Sequence, residues 1–196
     1  MNQTLEYYNQ NAQSFIDNTQ DVAFSEMQDM FLGYIPQGGY ILDFGCGSGR
    51  DTKYFIKKGF QVDAVDGSEE MVKAARKYSG CAVRQMLFQD LDAVGIYDGI
   101  WACSSILHLN ITELQSVLKK IWDALKPSGV LYTSFKYGTF SGEKRGRYFT
   151  DMTEESFEQL LKDVGGFSVI KMWITSDVRP GRDSEKWLNV ILRKTE

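Results

Sequence analysis

Histidine occurs once in this sequence, as His108, and proline and cysteine only three times each, and these scarcities close off several classes of protein. Cys46, Cys81 and Cys103 are odd in number, scattered and without a Cys-x-x-Cys spacing, so they offer neither a disulfide framework nor a zinc site. No metal is expected, and the free thiols point to a reducing compartment. No apolar run approaches the about 18 residues needed to cross a bilayer. Met1 to Phe15 is polar, with no charged leader ahead of an apolar core, so the expected location is the cytoplasm, without a membrane partner. An excess of positive charge is also missing. The formal net charge is −4, which excludes a general nucleic-acid binder and leaves only local sites for phosphate. No repeat or low-complexity stretch is visible.

What is present suits one domain. A chain of 196 residues with 43% hydrophobic residues can bury a single substantial core. Helical spacing of apolar residues from Thr4 to Tyr34 predicts two helices. Beyond the Pro36 to Gly39 turn, short apolar strands alternate with helices. Tyr40–Phe44, Gln61–Val65, Cys81–Gln85, Tyr97–Cys103 and Gly129–Phe135 read as strands, separated by helices opening near Ser48, Ser68 and Thr112. Thr153–Val164 reads as a further helix, and Phe167–Trp173 and Lys186–Leu192 as the last strands, with a turn-rich loop over Asp177 to Asp183. This alternation predicts a doubly wound, mostly parallel α/β sheet with helices on both faces. Lys136 to Thr150 has no aliphatic residue and is rich in cations, so it is expected to be a long surface loop.

The strongest local signal is Asp43-Phe44-Gly45-Cys46-Gly47-Ser48-Gly49 between a predicted strand and a predicted helix. Glycines there allow a tight turn and close approach of backbone to a ligand. The next strand ends at Asp66, close to the roughly 20-residue offset at which an acidic side chain meets ribose hydroxyls. Two details select among nucleotides. Arg50 stands where a dinucleotide fingerprint has Gly or Ala, and Asp43 precedes the first glycine by two positions. A pyrophosphate is repelled by that carboxylate, whereas an ammonium or sulfonium is attracted.

Leu42 to Gly49, Val65-Asp66-Gly67-Ser68, Gln89-Asp90-Leu91 and Leu125-Lys126-Pro127-Ser128-Gly129-Val130-Leu131 together resemble the class I S-adenosylmethionine-dependent methyltransferases, over roughly Tyr7 to Leu192. Gly49-Arg50-Asp51 is similar to a subset that includes tellurite-resistance-type enzymes. The resemblance implies a Rossmann-like, seven-stranded sheet with N-terminal helices over the cofactor site. It divides the single domain into a helical cap (1–36), a cofactor-binding core (37–135) and a substrate-side region (136–196). It further implies that Gly45, Cys46, Gly47, Ser48 and Gly49 wrap the methionine part of S-adenosylmethionine, with Asp43 near its ammonium and Arg50 beside it. Asp66 with Gly67 and Ser68 would meet the ribose, Gln89, Asp90 and Leu91 would flank the adenine, and Met71 would pack under the ring. S-Adenosylhomocysteine would be the product. Asp51 reads equally as a simple helix cap, Arg50 as a solvated cation and Tyr8 as helix core.

Ligands of open α/β sheets sit beyond the carboxyl ends of the strands, so Cys103 to His108 should border the transferred methyl group. His108 is a candidate base for an oxygen, nitrogen or sulfur nucleophile, or else only orients its loop. Tyr8, from the segment expected to fold over the cofactor, is the other candidate catalytic residue. Lys136, Lys144, Arg145, Arg147, Arg179 and Arg182 fall near the same rim. They suggest an anionic or aromatic small acceptor, or serve only to solvate a long loop. An RNA acceptor, a binding protein that transfers nothing and a nicotinamide oxidoreductase are the competing readings; Arg50 and Asp43 weigh against the last. Monomer and homodimer are both compatible with the sequence.

Overall fold

The computed structural model describes residues 3–195. Three short helices lead in, α1 (Gln3–Gln10), α2 (Ala12–Thr19) and α3 (Ser25–Leu32). They are followed by β1 (Tyr40–Phe44), α4 (Arg50–Lys57), β2 (Gln61–Asp66), α5 (Glu69–Ser79), β3 (Arg84–Gln85), β4 (Tyr97–Ala102), α6 (Ile111–Ala124) and β5 (Leu125–Lys136). The chain closes with β6 (Ser141–Lys144), β7 (Arg147–Thr150), α7 (Glu154–Val164), β8 (Phe167–Ser176) and β9 (Lys186–Lys194). Seven strands form one sheet in the order β3-β2-β1-β4-β5-β9-β8. Pairings from β3 through β5 are parallel, and β9 runs antiparallel to both β5 and β8. This is the expected Rossmann-like, mostly parallel arrangement.

Side chains alternate across each strand, which explains the helices on both faces. Leu42, Phe44, Ile100 and Leu131 face one way, onto Leu114 and Leu118 of α6 and Phe157 and Leu160 of α7. Ile41, Trp101 and Tyr132 face the other way, onto Phe31 of α3 and Phe55 of α4, with the Trp101 and Tyr132 rings stacked at 4.0 Å. Helix ends follow their sequence signals. Asn110 with Glu113, and Thr153 with Ser156, form reciprocal caps at the starts of α6 and α7, and the Ser68 hydroxyl accepts the Met71 amide at the start of α5.

Three expectations are corrected. The N-terminal segment holds three helices, and α3 belongs to the core, because Phe31, Leu32 and Ile35 are buried against Ile41, Phe55 and Trp101. The third strand shrinks to two residues. Lys136 to Thr150 is no loop: β6 and β7 pair antiparallel about a two-residue turn at Arg145 and Gly146, both at positive φ (52° and 76°). Turns of that hand match strand twist, and Phe149 and Thr150 are buried beneath the hairpin.

Candidate active site

The sheet order reverses between β1 and β4, and the carboxyl ends of the central strands open there into a cavity of about 240 Å³. Helices α1 and α2 cover it, the β6–β7 hairpin closes one side, and the loop between β8 and β9 closes another. Helix α1 straddles the opening. Leu5 packs on Gly67, Asn9 Oδ1 accepts the Ser68 hydroxyl at 2.7 Å, and the Thr4 hydroxyl accepts the Tyr148 amide at 3.0 Å.

At the β1 end, Gly45, Gly47 and Gly49 all take positive φ (87°, 53° and 85°), a backbone only glycine adopts cheaply. A Cβ on Gly45 would stand 2.5 Å from that of Ser105, and one on Gly49 would crowd Ala75 of α5. The bend is tied to β2: the Gly45 and Cys46 amides both donate to the Val65 carbonyl, at 2.9 Å each, and the Gly47 amide donates to Asp66 Oδ2 at 2.9 Å. Asp66 Oδ1 accepts the Ser68 amide at 2.8 Å. Burial pushes the Asp66 carboxyl up to about 6, with these backbone donors pulling the other way.

Gly45, Cys46, Gly47, Ser48, Arg50, Asp66, Gly67, Met71, Gln89 and Cys103 line the cavity. Gly49, Ser68, Asp90 and Leu91 do not: Gly49 faces α5, Ser68 caps it, Asp90 is exposed and Leu91 lies in the core. Asp43 is also absent from the lining. Its carboxylate is 2% exposed and accepts the Thr52 hydroxyl at 2.5 Å, so it sits behind the bend. The carboxylate of this strand-to-helix segment that does line the cavity is Asp51, the second residue of α4. It accepts Arg50 Nε at 2.7 Å, Arg50 Nη2 at 3.0 Å, Trp101 Nε1 at 2.8 Å and Gln28 Nε2 at 2.7 Å. Burial opposes its ionisation, but the Arg50 charge and these donors outweigh burial and hold Asp51 below the usual carboxylate range. Burial and then the Asp51 charge push Asp43 upward. Asp51 is thus no helix cap, and Arg50 no solvated cation. The sequence carried no sign of this, since the donors come from α3 and β4.

At the β4 end, His108 Nδ1 lies 2.6 Å from the Tyr148 carbonyl oxygen and Nε2 lies 2.8 Å from Tyr8 Oη. A carbonyl only accepts, so Nδ1 carries the proton and Nε2 accepts from Tyr8. Burial pushes the imidazole down to about 4, and the charges of Arg147 and Lys136 act in the same direction. Burial raises the Tyr8 phenol, against the lowering effect of Arg147. Cys103 borders this end, but burial pushes its thiol up to about 12, so it is no thiolate nucleophile. Ser104 and Ser105 bond locally, to Ser134 and to the Phe44 carbonyl.

Of the cations expected near the rim, Lys136, Arg147, Arg179 and Arg182 line the cavity and Arg145 lies in the hairpin turn outside it. Lys136 is paired with Glu185, Arg179 with the buried Asp177, and Arg182 with Glu185 at 3.7 Å. Asp177 also accepts Trp187 Nε1 at 3.0 Å. Neither acid was singled out in the sequence, where each looked like one more charge in a polar loop.

Comparison with known proteins agrees with this geometry. Residues 41–129 match the profile of a family described as "Methyltransferase domain". The chain is 33% identical over 113 residues to the YqeM protein of Bacillus subtilis (strain 168), covering 52% of this chain and 46% of that protein. It is 32% identical over 106 residues to the ubiquinone biosynthesis O-methyltransferase of Xanthomonas axonopodis pv. citri (strain 306), covering 50% and 44%. The chain thus spans less than half the length of these relatives. Among solved structures, the fold is similar to that of the Burkholderia thailandensis 1,6-didemethyltoxoflavin-N1-methyltransferase with bound 1,6-didemethyltoxoflavin and S-adenosylhomocysteine. The TM-score is 0.80 at 22% identity, over 98% of this chain and 87% of that one. Among the described residues no helix is long and apolar enough to cross a membrane.

Proposed function

From the match of residues 41–129 to the methyltransferase-domain family, we propose that the chain is a class I S-adenosylmethionine-dependent methyltransferase acting on a small acceptor through an oxygen, nitrogen or sulfur nucleophile. The observation that carries this reading is the cavity itself. A glycine bend and the Asp66 carboxylate lie at one end, and a half-buried Tyr8–His108 pair lies at the other. The residues fit the donor: Gly47 presents backbone where a side chain would reach toward Phe15, Asp66 accepts ribose hydroxyls, and Met71 and Gln89 border the adenine side. Asp51, ionised and facing the cavity, is the carboxylate for the donor's cationic end, with Asp43 behind it.

S-Adenosylmethionine supplies a methyl carbon already activated by the sulfonium, so acceleration comes mostly from positioning and from excluding water. As the acceptor's nucleophile forms its bond to carbon and the carbon–sulfur bond breaks onto sulfur, the nucleophile's proton must leave. Tyr8 takes that proton on Oη while passing its own to His108 Nε2, and the Nδ1 proton stays on the Tyr148 carbonyl. The imidazole is uncharged at neutral pH, so its Nε2 lone pair is free to accept, while burial, which disfavours the cation, keeps it a weak base. The cavity is a pocket of about 240 Å³ bounded by α1, α2, the β6–β7 hairpin and the β8–β9 loop, and the chain is acidic, which favours a small acceptor over RNA. The Burkholderia thailandensis enzyme of similar fold likewise binds a small molecule, 1,6-didemethyltoxoflavin, together with S-adenosylhomocysteine.

Calorimetry with S-adenosylhomocysteine, followed by mass spectrometry of metabolite and RNA fractions incubated with the enzyme and methyl-labelled donor, tests this. Binding of the nucleoside with label in a small molecule is expected. No heat from folded protein would overturn the assignment, and label only in RNA would overturn the acceptor class.

A further inference from the structure

One cation in the cavity has no acid. Arg147 lies on β7 and lines the cavity, yet no carboxylate among the described residues comes within ion-pairing distance of it, while Lys136, Arg179 and Arg182 each have one. Its Nε is buried without a hydrogen-bond partner. Among the described residues its guanidinium makes one hydrogen bond, a long one, Nη1 to Tyr8 Oη at 3.4 Å. Three aromatic rings hold it: its Cζ lies 4.3 Å from the Tyr7 ring centroid, 5.1 Å from Phe149 and 5.7 Å from Tyr8. A guanidinium fixed against ring faces, partly out of water and with unused N–H donors, is suited to a planar anion taken by two parallel hydrogen bonds.

Position decides whose anion this is. Gly47 and Asp66 lie at the ends of β1 and β2, whereas Arg147 stands across the cavity beside Tyr8, and Phe149 packs on His108 at 4.9 Å. Arg50, at the start of α4, is the cation on the donor's side. We infer that the methyl acceptor is a carboxylic acid whose carboxylate docks on Arg147, setting its nucleophile against Tyr8 Oη. This rests on the methyltransferase reading above. It has a chemical consequence in the same niche: a carboxylate on Arg147 offsets the positive charge that disfavours protonation of His108, so the right substrate improves its own proton acceptor.

The test uses the full chain saturated with S-adenosylhomocysteine and a panel of aryl and alkyl carboxylates, each paired with its neutral primary amide. Affinity is read by calorimetry, and the signal of the single histidine is followed by NMR. At least one acid is expected to bind about tenfold more tightly than its amide and to shift the His108 resonance. Arg147→Met should reduce that preference to about twofold or less and abolish the shift, and Arg147→Lys should restore part of it. S-Adenosylhomocysteine affinity should stay within about twofold in both variants. Equal binding of every acid and amide by the wild type would overturn the inference. So would a loss of nucleoside affinity in Arg147→Met, which would make Arg147 the partner of the donor's own carboxylate. If the wild type discriminates acids through Arg147 yet binds no nucleoside, the anion site stands and the methyl-donor reading falls.

Discussion

Tyr8 Oη and His108 Nε2 lie 2.8 Å apart although 100 residues separate them in the chain. The bond joins the helix that covers the cavity to the loop after β4. Both side chains are half-buried, and neither has a carboxylate partner within hydrogen-bond distance among the described residues. The pair is therefore uncharged when at rest.

His108→Ala is expected to lower turnover by about 100-fold, and Tyr8→Phe by a similar factor, with S-adenosylhomocysteine affinity little changed. If the two act as a relay, the double variant should be no worse than the poorer single one. Turnover losses that multiply in the double variant would show two independent roles instead. Steady-state kinetics alongside calorimetry separates these cases.

Asp66→Ala should weaken S-adenosylhomocysteine binding by about 1–3 kcal/mol through lost charged hydrogen bonds. The same carboxylate imposes a pH dependence. With its free-state value raised to about 6, binding that favours the ionised form should weaken as pH falls through 6, by up to about tenfold per unit. Titrations from pH 7.5 down to 5 in wild type and Asp66→Ala check this, and a flat profile in wild type would refute the ribose role.

The imidazole of His108 should titrate by NMR near 4, well below the ordinary histidine range, because burial disfavours the cation. Between about 6.5 and 4 the unfolded chain binds a proton that the folded chain refuses, so stability from this group falls as pH falls through that window. The loss is at most about 3 kcal/mol. Asp66 works in the opposite direction, its raised value favouring the folded state as pH drops. The difference in denaturant stability between wild type and His108→Gln isolates the histidine, and should shrink toward pH 4.

Gly45→Ala should destabilise the fold by about 2–4 kcal/mol, since a Cβ there combines a φ of 87° with a 2.5 Å approach to Ser105 Cβ. Gly80→Ala, at a similar φ of 73° but with nothing within 4 Å of the added carbon, should cost only about 1 kcal/mol. Equal losses in chemical denaturation would mean that the bend has room to relax.

Much of the architecture was legible because it depends on local rules. Short apolar runs mark β1 and β4, Ser68 announces a helix start, and three glycines mark the bend. The hairpin was not legible, because its turn is Arg145-Gly146 rather than the usual Asn-Gly or Asp-Gly and its strands are polar on the outer face. Helix α3 was assigned to the cap because its core partners, Phe55 and Trp101, follow it by more than twenty residues.

The sequence by itself determined that a glycine bend follows the first strand and that a carboxylate ends the second, since backbone sterics and side-chain alternation act within a few residues. Only the tertiary structure decided which carboxylate faces the cavity, Asp51 rather than Asp43, and which cavity cation is left without an acid among the described residues, Arg147. Charge pairing is a matter of distance and burial, and four donors from three separate segments, or three rings around one guanidinium, exist only once the chain has folded back on itself.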